Sequence, residues 1–442
     1  MMFPDMTSQS AALFSRAQNA LPGGNTRHSI AYAPYPLYAK HGEGCRITDV
    51  DGATYIDCVN NMSANIHGHR HPAIVEAATR QMEKFISIGS PTEVEIELAE
   101  LLTARLPSVE RIRFCNSGTE ALMFAARAAR AFTGRRKIAK IEGGYHGSYD
   151  ALDVSNKPLP DRWGDADFPD MVREGAGLTP GATDDTIIFQ ANRTASTRAL
   201  LERHGDELAA VFIDPVVSRM GFLPLSKEFL TMIREETAKR GVLLIFDEVF
   251  SFRLGRQGAQ GVVGVRPDLS TFGKIIGGGF PIGAFGGRRD VMDVFNHLHE
   301  GGARVEHSGT FFGNPVSMAA GIASLELLDE DAFAHLDALG EQLRGGLETI
   351  LKDRQMPGQA MGQGSLIALT PHLAPYSDYR DFFQGFAARA EEFGSLFANI
   401  LNNRVLPVFP TGFILSTPMT RAEIDDILSS VDDGIKAMRT AA

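Results

Sequence analysis

Short apolar runs alternate with amphipathic stretches through the middle of the chain, from about residue 70 to 325. Nearly continuous apolar runs separated by helices are typical of a mostly parallel sheet that is covered on both faces. The pattern predicts strands at Arg111–Cys115, Lys137–Ile141, Ala209–Ile213, Val242–Phe246, Leu269–Phe272 and Ile282–Phe285. It predicts helices at 93–105, 119–132, 227–240 and 314–328. We therefore expect a large α/β domain here.

The two ends of the chain follow other patterns. The first 69 residues predict a short helix at 8–20 and hairpin strands at 37–41 and 44–49. The last part of the chain predicts a smaller α/β unit with elements at 334–352, 365–369, 379–400, 412–416 and 420–438. We expect residues 70–329 to form the large domain, and 1–69 with 330–442 to form the small one.

One stretch, 151–190, is rich in Pro, Gly and Asp and contains Trp163, the only tryptophan. It is too long for an ordinary connector. A lid or substrate-facing loop is our hypothesis, and a solvated surface insertion is the alternative.

The composition narrows the class of protein. The chain has 442 residues, of which 44% are hydrophobic and 22% are charged, as in ordinary globular enzymes. Its net charge of -11 argues against a nucleic-acid surface. Cys45, Cys58 and Cys115 have no metal-ligand spacing, so neither a disulfide framework nor a metal site is expected. With no long apolar run and no signal pattern, we expect a cytoplasmic protein without membrane contact.

The most informative residues are Lys274 and Asp247. Lys274 lies in Gly-Lys-Ile-Ile-Gly-Gly-Gly. Asp247 directly follows the apolar run Val-Leu-Leu-Ile-Phe, one βα unit before Lys274. Pyridoxal phosphate requires an amine to form a Schiff base and an acid to keep its pyridine nitrogen protonated. A surface lysine in a glycine-rich turn and a helix-capping aspartate are the alternative interpretation.

Further polar residues follow the predicted strands, at the edge where parallel sheets bind ligands. They are Asn116, Glu142, Asp214, Asp247 and Lys274. Ser117-Gly118-Thr119 opens a predicted helix, whose free N–H groups suit a phosphate. Tyr145 and His146 follow two glycines, so that an aromatic ring can lie flat against a cofactor and the histidine offers a hydrogen-bond donor.

Five motifs together resemble the class III aminotransferases of fold type I. They are Ser-Gly-Thr-Glu-Ala, Gly-Tyr-His-Gly, Phe-Asp-Glu-Val, Gly-Lys-Ile-Ile-Gly-Gly-Gly and Gly-Thr-Phe-Phe-Gly-Asn-Pro, in the family's order and spacing. The chain resembles the branch that contains glutamate-1-semialdehyde aminomutase and the β-phenylalanine transaminases. The resemblance runs from about residue 20 to 330 and more loosely to the end.

The resemblance implies roles for these residues around pyridoxal 5'-phosphate. Lys274 is the Schiff-base lysine and the acid/base, Asp247 pairs with the pyridinium nitrogen, and Val249 and Tyr145 lie on opposite faces of the ring. Gly118 and Thr119 bind the phosphate. Thr310 joins them from the partner subunit, because these enzymes are homodimers with shared sites.

Substrate recognition is where the chain departs from the family. Arg27 matches a carboxylate-binding arginine of the β-phenylalanine transaminases, whereas Thr411 stands where that group carries a second arginine. Arg219 replaces a small polar residue near the cofactor, and is a further candidate for binding a carboxylate. The aromatic Ser-Trp-Gly region of the aminomutase is replaced by Asn-Asn-Met-Ser at 60–63.

These features favour a transaminase that takes an amine or β-amino acid donor and a keto acid or aldehyde acceptor. An intramolecular aminomutase shares the first half-reaction and stays open. A non-catalytic cofactor-binding protein would not need both Lys274 and Asp247. A dinucleotide-dependent oxidoreductase is the last alternative. It would carry a Gly-x-Gly-x-x-Gly motif near the start of the sheet, and this chain lacks that motif.

Overall fold

The computed structural model describes residues 3–298 and 301–441. The chain divides into two compact units. The terminal unit contains the chain up to His71, Ala334–Pro375 and the chain from Gly385 onwards. The central unit contains Pro72–Phe333 together with Tyr376–Gln384. None of the described helices is long and apolar enough to span a membrane.

The strands, β1 to β16 in chain order, are Ala39–Glu43, Arg46–Asp49, Thr54–Asp57, Arg111–Cys115, Lys137–Ile141, Thr186–Phe189, Leu208–Ile213, Val216–Val217, Leu223–Pro224, Leu243–Asp247, Leu269–Gly273, Gly283–Gly287, Gln359–Gln363, Leu366–Thr370, Val405–Leu406 and Gly412–Ile414. The α-helices, α1 to α14, are Gln9–Gln18, Pro72–Lys84, Glu93–Arg105, Gly118–Thr133, Pro180–Thr183, Thr194–His204, Lys227–Arg240, Gly258–Val263, Arg289–Met292, Pro315–Glu326, Glu330–Asp353, Tyr379–Ala388, Ala390–Asn402 and Arg421–Ala441.

The central unit is built on a seven-stranded sheet in the order β4-β12-β11-β10-β7-β5-β6. Only β12 runs antiparallel to its neighbours, so the predicted mostly parallel α/β fold is confirmed. Strands β7 and β10 are buried at every position, which explains their continuous apolar runs. All six strands predicted here are present, with ends shifted by at most two residues.

The strand order brings distant polar residues to one edge of this sheet. Strand β10 lies between β7 and β11, and Phe246 is in register with Ile213. Asp247 and Asp214 each follow one of those two residues. Lys274 follows β11 directly. The carboxyl ends of three adjacent parallel strands therefore supply an amine and two carboxylates.

The terminal unit contains a four-stranded sheet, β1-β2-β3-β15, and a three-stranded sheet, β13-β14-β16. The single helix predicted at 379–400 is wrong, because the chain leaves the helical conformation at Arg389 (φ -131°, ψ 25°) between α12 and α13. The Arg389 guanidinium donates to the carbonyl oxygens of Pro357 and Pro371 and to Glu392. Contacts with residues far away in sequence thus fix the break.

The stretch 151–190 is more structured than a loop, since it includes α5 and the edge strand β6. Trp163 is only 6% exposed, and its Nε1 donates to Pro158 O at 2.7 Å. A wholly solvated insertion is therefore wrong for this part of the segment. The lid hypothesis stays a prediction.

Candidate active site

A buried carboxylate–imidazole pair lies at the carboxyl edge of the central sheet. Asp247 Oδ2 lies 2.8 Å from His146 Nδ1, and Asp247 Oδ1 accepts from Val249 N at 3.1 Å and Thr271 Oγ1 at 3.4 Å. Burial lowers the pKa of His146, and Asp247 opposes this effect. Because a carboxylate only accepts, Nδ1–H donates and fixes the orientation of Asp247.

Lys274 presents its amine beside the same edge. Its backbone has a φ of +52°, which costs a non-glycine residue about 1–3 kcal/mol and is concentrated at functional sites. Its Nζ lies 4.0 Å from the centroid of the Phe250 ring. Burial lowers the pKa of Lys274 to about 8, although the charges of Asp247 and Asp214 oppose the shift. With this pKa about a tenth of the amine is neutral and nucleophilic at pH 7, compared with less than about one part in a thousand for an ordinary lysine.

A second lysine, Lys140, is also buried, and burial lowers its pKa to about 7. Its Nζ already donates to Leu152 O at 3.1 Å, Val154 O at 2.6 Å and Asn156 Oδ1 at 2.8 Å. An ammonium has three donors, so all of them are used to hold this turn of the chain. The part of the chain that the structure describes provides no hydrogen bond to Lys274 Nζ, which leaves Lys274 as the reactive amine.

Asp214 supplies a second carboxylate at this edge. Its position was predicted from the sequence, but no role was predicted for it. Its Oδ1 accepts from Val216 N at 3.3 Å and its Oδ2 from Ser218 N at 3.4 Å. Burial, followed by the neighbouring charge of Asp247, raises the pKa of Asp214 well above its usual range. Asp214 is therefore harder to ionise than an ordinary aspartate.

The start of helix α4 supplies N–H groups to the same region. Ser117 caps the helix by accepting from Glu120 N at 3.2 Å. A Cβ on Gly118 would lie 2.9 Å from Cγ1 of Val249, so glycine is required for this approach. The first-turn N–H groups of Gly118 and Thr119 have no acceptor within the helix. They can bind an anion such as a phosphate.

Tyr145 and Arg219 form a stacked pair in the central unit. The Cζ of Arg219 lies 4.1 Å from the centroid of the Tyr145 ring, which is 38% exposed. Partial burial lowers the pKa of Arg219. The ring of Tyr145 is thus accessible for a ligand, and a cation lies against it.

Three further predicted residues are Arg27 and Thr411 in the terminal unit and Thr310 in the central unit. Arg27, in the terminal unit, is exposed and donates from Nη1 to Asn61 Oδ1 at 2.7 Å. Thr310 is exposed within its single chain, and its side chain makes no hydrogen bond among residues 3–298 and 301–441. Thr411 is buried and donates to Leu369 O at 2.6 Å, so its hydroxyl stabilises the small sheet.

An ion pair next to the site was not predicted from the sequence. The Arg380 guanidinium donates to Glu142, with Nε–Oε2 at 2.9 Å, and to the carbonyl oxygens of Trp163, Gly164 and Asp165. Glu142 is fully buried at the end of β5, and burial raises its pKa although Arg380 opposes the shift. The pair fixes the segment around Trp163 to the strand that leads into Tyr145.

Replacing Arg380 with methionine should destabilise the protein by about 3 kcal/mol, because it leaves Glu142 buried without its cation. The emission of Trp163 should also shift to longer wavelength, since the guanidinium that covers its buried ring and holds its backbone is lost and water reaches the indole. Thermal melting measures the loss of stability, and tryptophan fluorescence measures the shift in emission. Because Trp163 is the single tryptophan, the emission comes from this residue alone.

The matched control is Arg173→Met in the same segment, whose partner Asp184 is 62% exposed. A solvent-exposed pair contributes less than about 1 kcal/mol, so this variant should melt almost as the original protein does. Equal melting of both variants would contradict the role of Arg380.

The donor set fits pyridoxal phosphate. Lys274 provides an amine, Asp247 a carboxylate oriented by two side-chain hydrogen bonds and one backbone hydrogen bond, and α4 the free N–H groups for a phosphate. Val249 connects the two, because its side chain lies against Gly118 and its backbone N donates to Asp247.

Comparison with known proteins agrees with this geometry. The model of the class III aminotransferase family matches residues 29–430. A glutamate-1-semialdehyde 2,1-aminomutase of Acetivibrio thermocellus is 38% identical over 433 residues, which are 96% of this chain and 97% of the relative.

Two solved structures are similar over almost their whole length. An omega-transaminase from Sphaerobacter thermophilus is 43% identical with a TM-score of 0.94, covering 98% of both chains. A β-phenylalanine aminotransferase from Variovorax paradoxus is 34% identical with a TM-score of 0.87, covering 98% of this chain and 94% of that one. The chain therefore belongs to the class III aminotransferases of fold type I, and pyridoxal 5'-phosphate is its cofactor.

Proposed function

We propose that the protein is a transaminase that exchanges the amino group of an amine or β-amino acid for the oxygen of a keto acid or aldehyde. The observation that carries this proposal is the free amine of Lys274 at the end of β11, beside the oriented carboxylate of Asp247. The depressed pKa of Lys274 suits an acid/base that works near neutral pH.

Each residue of the cluster has a distinct task in this proposal. The bound cofactor supplies an aldehyde carbon and a ring that accepts electrons from the bond being broken. Lys274 attaches the cofactor and, once released, moves a proton at its Nζ. Asp247 stabilises the positive charge of a protonated ring nitrogen of the cofactor, and His146 and Thr271 keep the carboxylate oxygens in place. Ser117, Gly118 and Thr119 bind the phosphate at the start of α4.

The intramolecular aminomutase remains the second candidate, because the Acetivibrio relative is an aminomutase and matches almost the whole chain. One feature of the terminal unit favours the transaminase. Residues Asn60–Ser63 all have positive φ, and Asn61 accepts a hydrogen bond from Arg27. Where the aminomutase has an aromatic segment, this chain has a polar turn attached to a candidate carboxylate-binding arginine.

A single half-reaction distinguishes the two functions. The cofactor-loaded protein is mixed with one amine donor and no acceptor, and released ketone is measured together with the absorption of the cofactor. A transaminase releases about one ketone per site, whereas an aminomutase rearranges glutamate-1-semialdehyde without net release. Rearrangement without ketone from any donor would refute the proposal, and the Lys274→Ala protein is the blank.

We also propose a homodimer in which Thr310 completes the partner's site. Thr310 is exposed in the single chain and follows Gly309, as in an anion-binding turn. A Thr310→Glu chain places a negative charge against the phosphate and should be inactive, as should a Lys274→Ala chain. Heterodimers of these two chains should regain about half of the native activity, because one of two sites is then intact.

Differently tagged chains are co-expressed, and doubly purified heterodimers are assayed. Homodimers of each variant, purified in parallel, serve as controls. If Thr310 acted within its own chain, the heterodimer would contain no intact site and would remain inactive.

A further inference from the structure

The turn that carries Thr310 is exposed at its tip and held at its far end. Residues 308–311 are all exposed. Beyond them, Asn314 Oδ1 accepts from the N–H groups of the first turn of helix α10, and Asn314 Nδ2 donates to Ile86 O at 3.2 Å. Hydrogen bonds within the central unit therefore fix the point where the turn meets α10.

The start of the turn is held by the ring of His307. This ring lies against an aromatic cluster, with centroid distances of 4.4 Å to Phe124, 4.7 Å to Phe312 and 5.2 Å to Phe285. Burial, followed by the positive charge of Arg113, lowers the pKa of His307 to about 4, so that the ring is neutral at neutral pH. Its Nε2 is buried and has no hydrogen-bond partner among the described residues. The ring therefore acts through aromatic packing.

Phe312 connects this packing to the tip of the turn. Its ring is close to parallel with that of His307, with an angle of 28° between the two planes. A Cβ on Gly309 would lie 2.5 Å from Phe312 Cε1, so the backbone of Gly309 lies directly against the same ring. Phe312 N also donates to Gly309 O at 3.1 Å. The position of Thr310, the next residue, thus depends on the rings of Phe312 and His307.

We propose that His307 is a positioning residue, which holds Thr310 in place to bind the phosphate of the cofactor in the partner subunit. This inference rests on the proposed homodimer with shared sites. A turn that is already ordered loses little conformational entropy when it meets the phosphate, whereas a turn freed from the aromatic cluster must be ordered at each binding event. The cost of ordering the backbone of a single residue corresponds to a loss of affinity of about tenfold.

Retention of the cofactor by homodimers gives the first test. The protein is loaded with pyridoxamine 5'-phosphate, which forms no covalent bond with the chain, and the dissociation constant is measured from the cofactor released on dilution. His307→Ala should raise this constant about tenfold, and His307→Phe, which keeps an aromatic ring, should restore the original value.

The matched control is Met292→Ala, which removes a buried side chain of the core cluster that contains Phe124 and Phe285. It should lower the melting temperature and leave the dissociation constant unchanged, because Met292 is not part of the turn. If the dissociation constant simply followed the melting temperature across the three variants, His307 would be an ordinary core residue and the proposal would be wrong.

Heterodimers with a single Lys274 give the second test, because borohydride trapping then reports on one site alone. In the first heterodimer a His307→Ala chain is paired with a Lys274→Ala chain, so the remaining Lys274 is served by a turn with His307 intact. In the second, an unaltered chain is paired with a chain carrying both substitutions, so the turn that serves the remaining Lys274 lacks His307. The concentration of pyridoxal 5'-phosphate that half-labels Lys274 should be about tenfold higher in the second heterodimer.

The difference between the two heterodimers separates positioning across the subunits from a structural role. Equal half-labelling concentrations would overturn the role of His307, and so would a higher concentration in the first heterodimer, since His307 would then act within its own chain. The reference is an unaltered chain paired with a Lys274→Ala chain. Absence of labelling in this reference would instead refute the proposed function itself.

Discussion

Replacing Lys274 with alanine is expected to abolish amino-group transfer while the protein stays folded and retains cofactor through noncovalent contacts. Lys274 Nζ lies against the Phe250 ring and makes no hydrogen bond with the described residues, so its loss breaks no hydrogen bond of the fold. The residue supplies both the covalent attachment and the mobile proton. We expect turnover to fall by at least about four orders of magnitude, the contribution of a positioned acid/base together with nucleophilic catalysis.

Borohydride reduction measures the attachment directly, because it makes the bond between lysine and cofactor permanent. The original protein should gain the mass of the reduced cofactor on a peptide that contains Lys274, and the variant should gain none. Lys140→Met is the matched control, since it removes the other buried lysine with a depressed pKa. It should melt at lower temperature and still be labelled. Labelling of the Lys274→Ala protein would refute the assignment.

The pKa of about 8 adds a pH dependence to this prediction. Only the neutral amine attacks an aldehyde, so attachment of added cofactor to the cofactor-free protein should accelerate as the pH rises. The rate should level off above about pH 8, rather than above 10 as for an ordinary lysine. Stopped-flow absorbance at constant ionic strength gives the profile, and Lys140→Met should follow the same curve.

Local signals explain why the main features of the fold were predictable. Strands such as β7 and β10 are buried throughout, so their apolar runs stand out in the sequence. The glycines around Lys274 and the aspartate that ends β10 are likewise local signals of a cofactor site. Ser117 is a typical helix N-cap residue, so the start of helix α4 could be predicted in the same way.

Long-range contacts explain what the sequence could not show. Glu142 and Arg380 are 238 residues apart, and no local pattern relates them. Asp214 and Asp247 become neighbours only because β7 lies beside β10 in the sheet. The break at Arg389 depends on carbonyl groups of Pro357 and Pro371, which no helical periodicity reveals. Pairing across the fold therefore decided each of these features.

Replacing Asp247 with asparagine should slow the proton transfer by about two to three orders of magnitude or more, the usual cost of losing a preorganised charge. An amide has the shape of the carboxylate and can still accept from Thr271, so the fold should tolerate the change. It cannot hold the ring nitrogen of the cofactor protonated, and the electrons from the broken bond then lack an acceptor. Single-turnover rates with excess donor isolate this step from product release.

The control that separates charge from stability is Asp268→Asn. Asp268 is also a buried carboxylate of the central unit, with Oδ2 2.9 Å from Arg234 Nη1 and Oδ1 2.8 Å from Arg288 Nη1. Its replacement should cost about 2 kcal/mol of stability and leave the single-turnover rate near the original value. Asp247→Asn should show the reverse, with melting within about 5 °C of the original protein and a collapsed rate. If the two variants lost rate and stability in parallel, Asp247 would be a structural residue, and the charge would have to come from elsewhere.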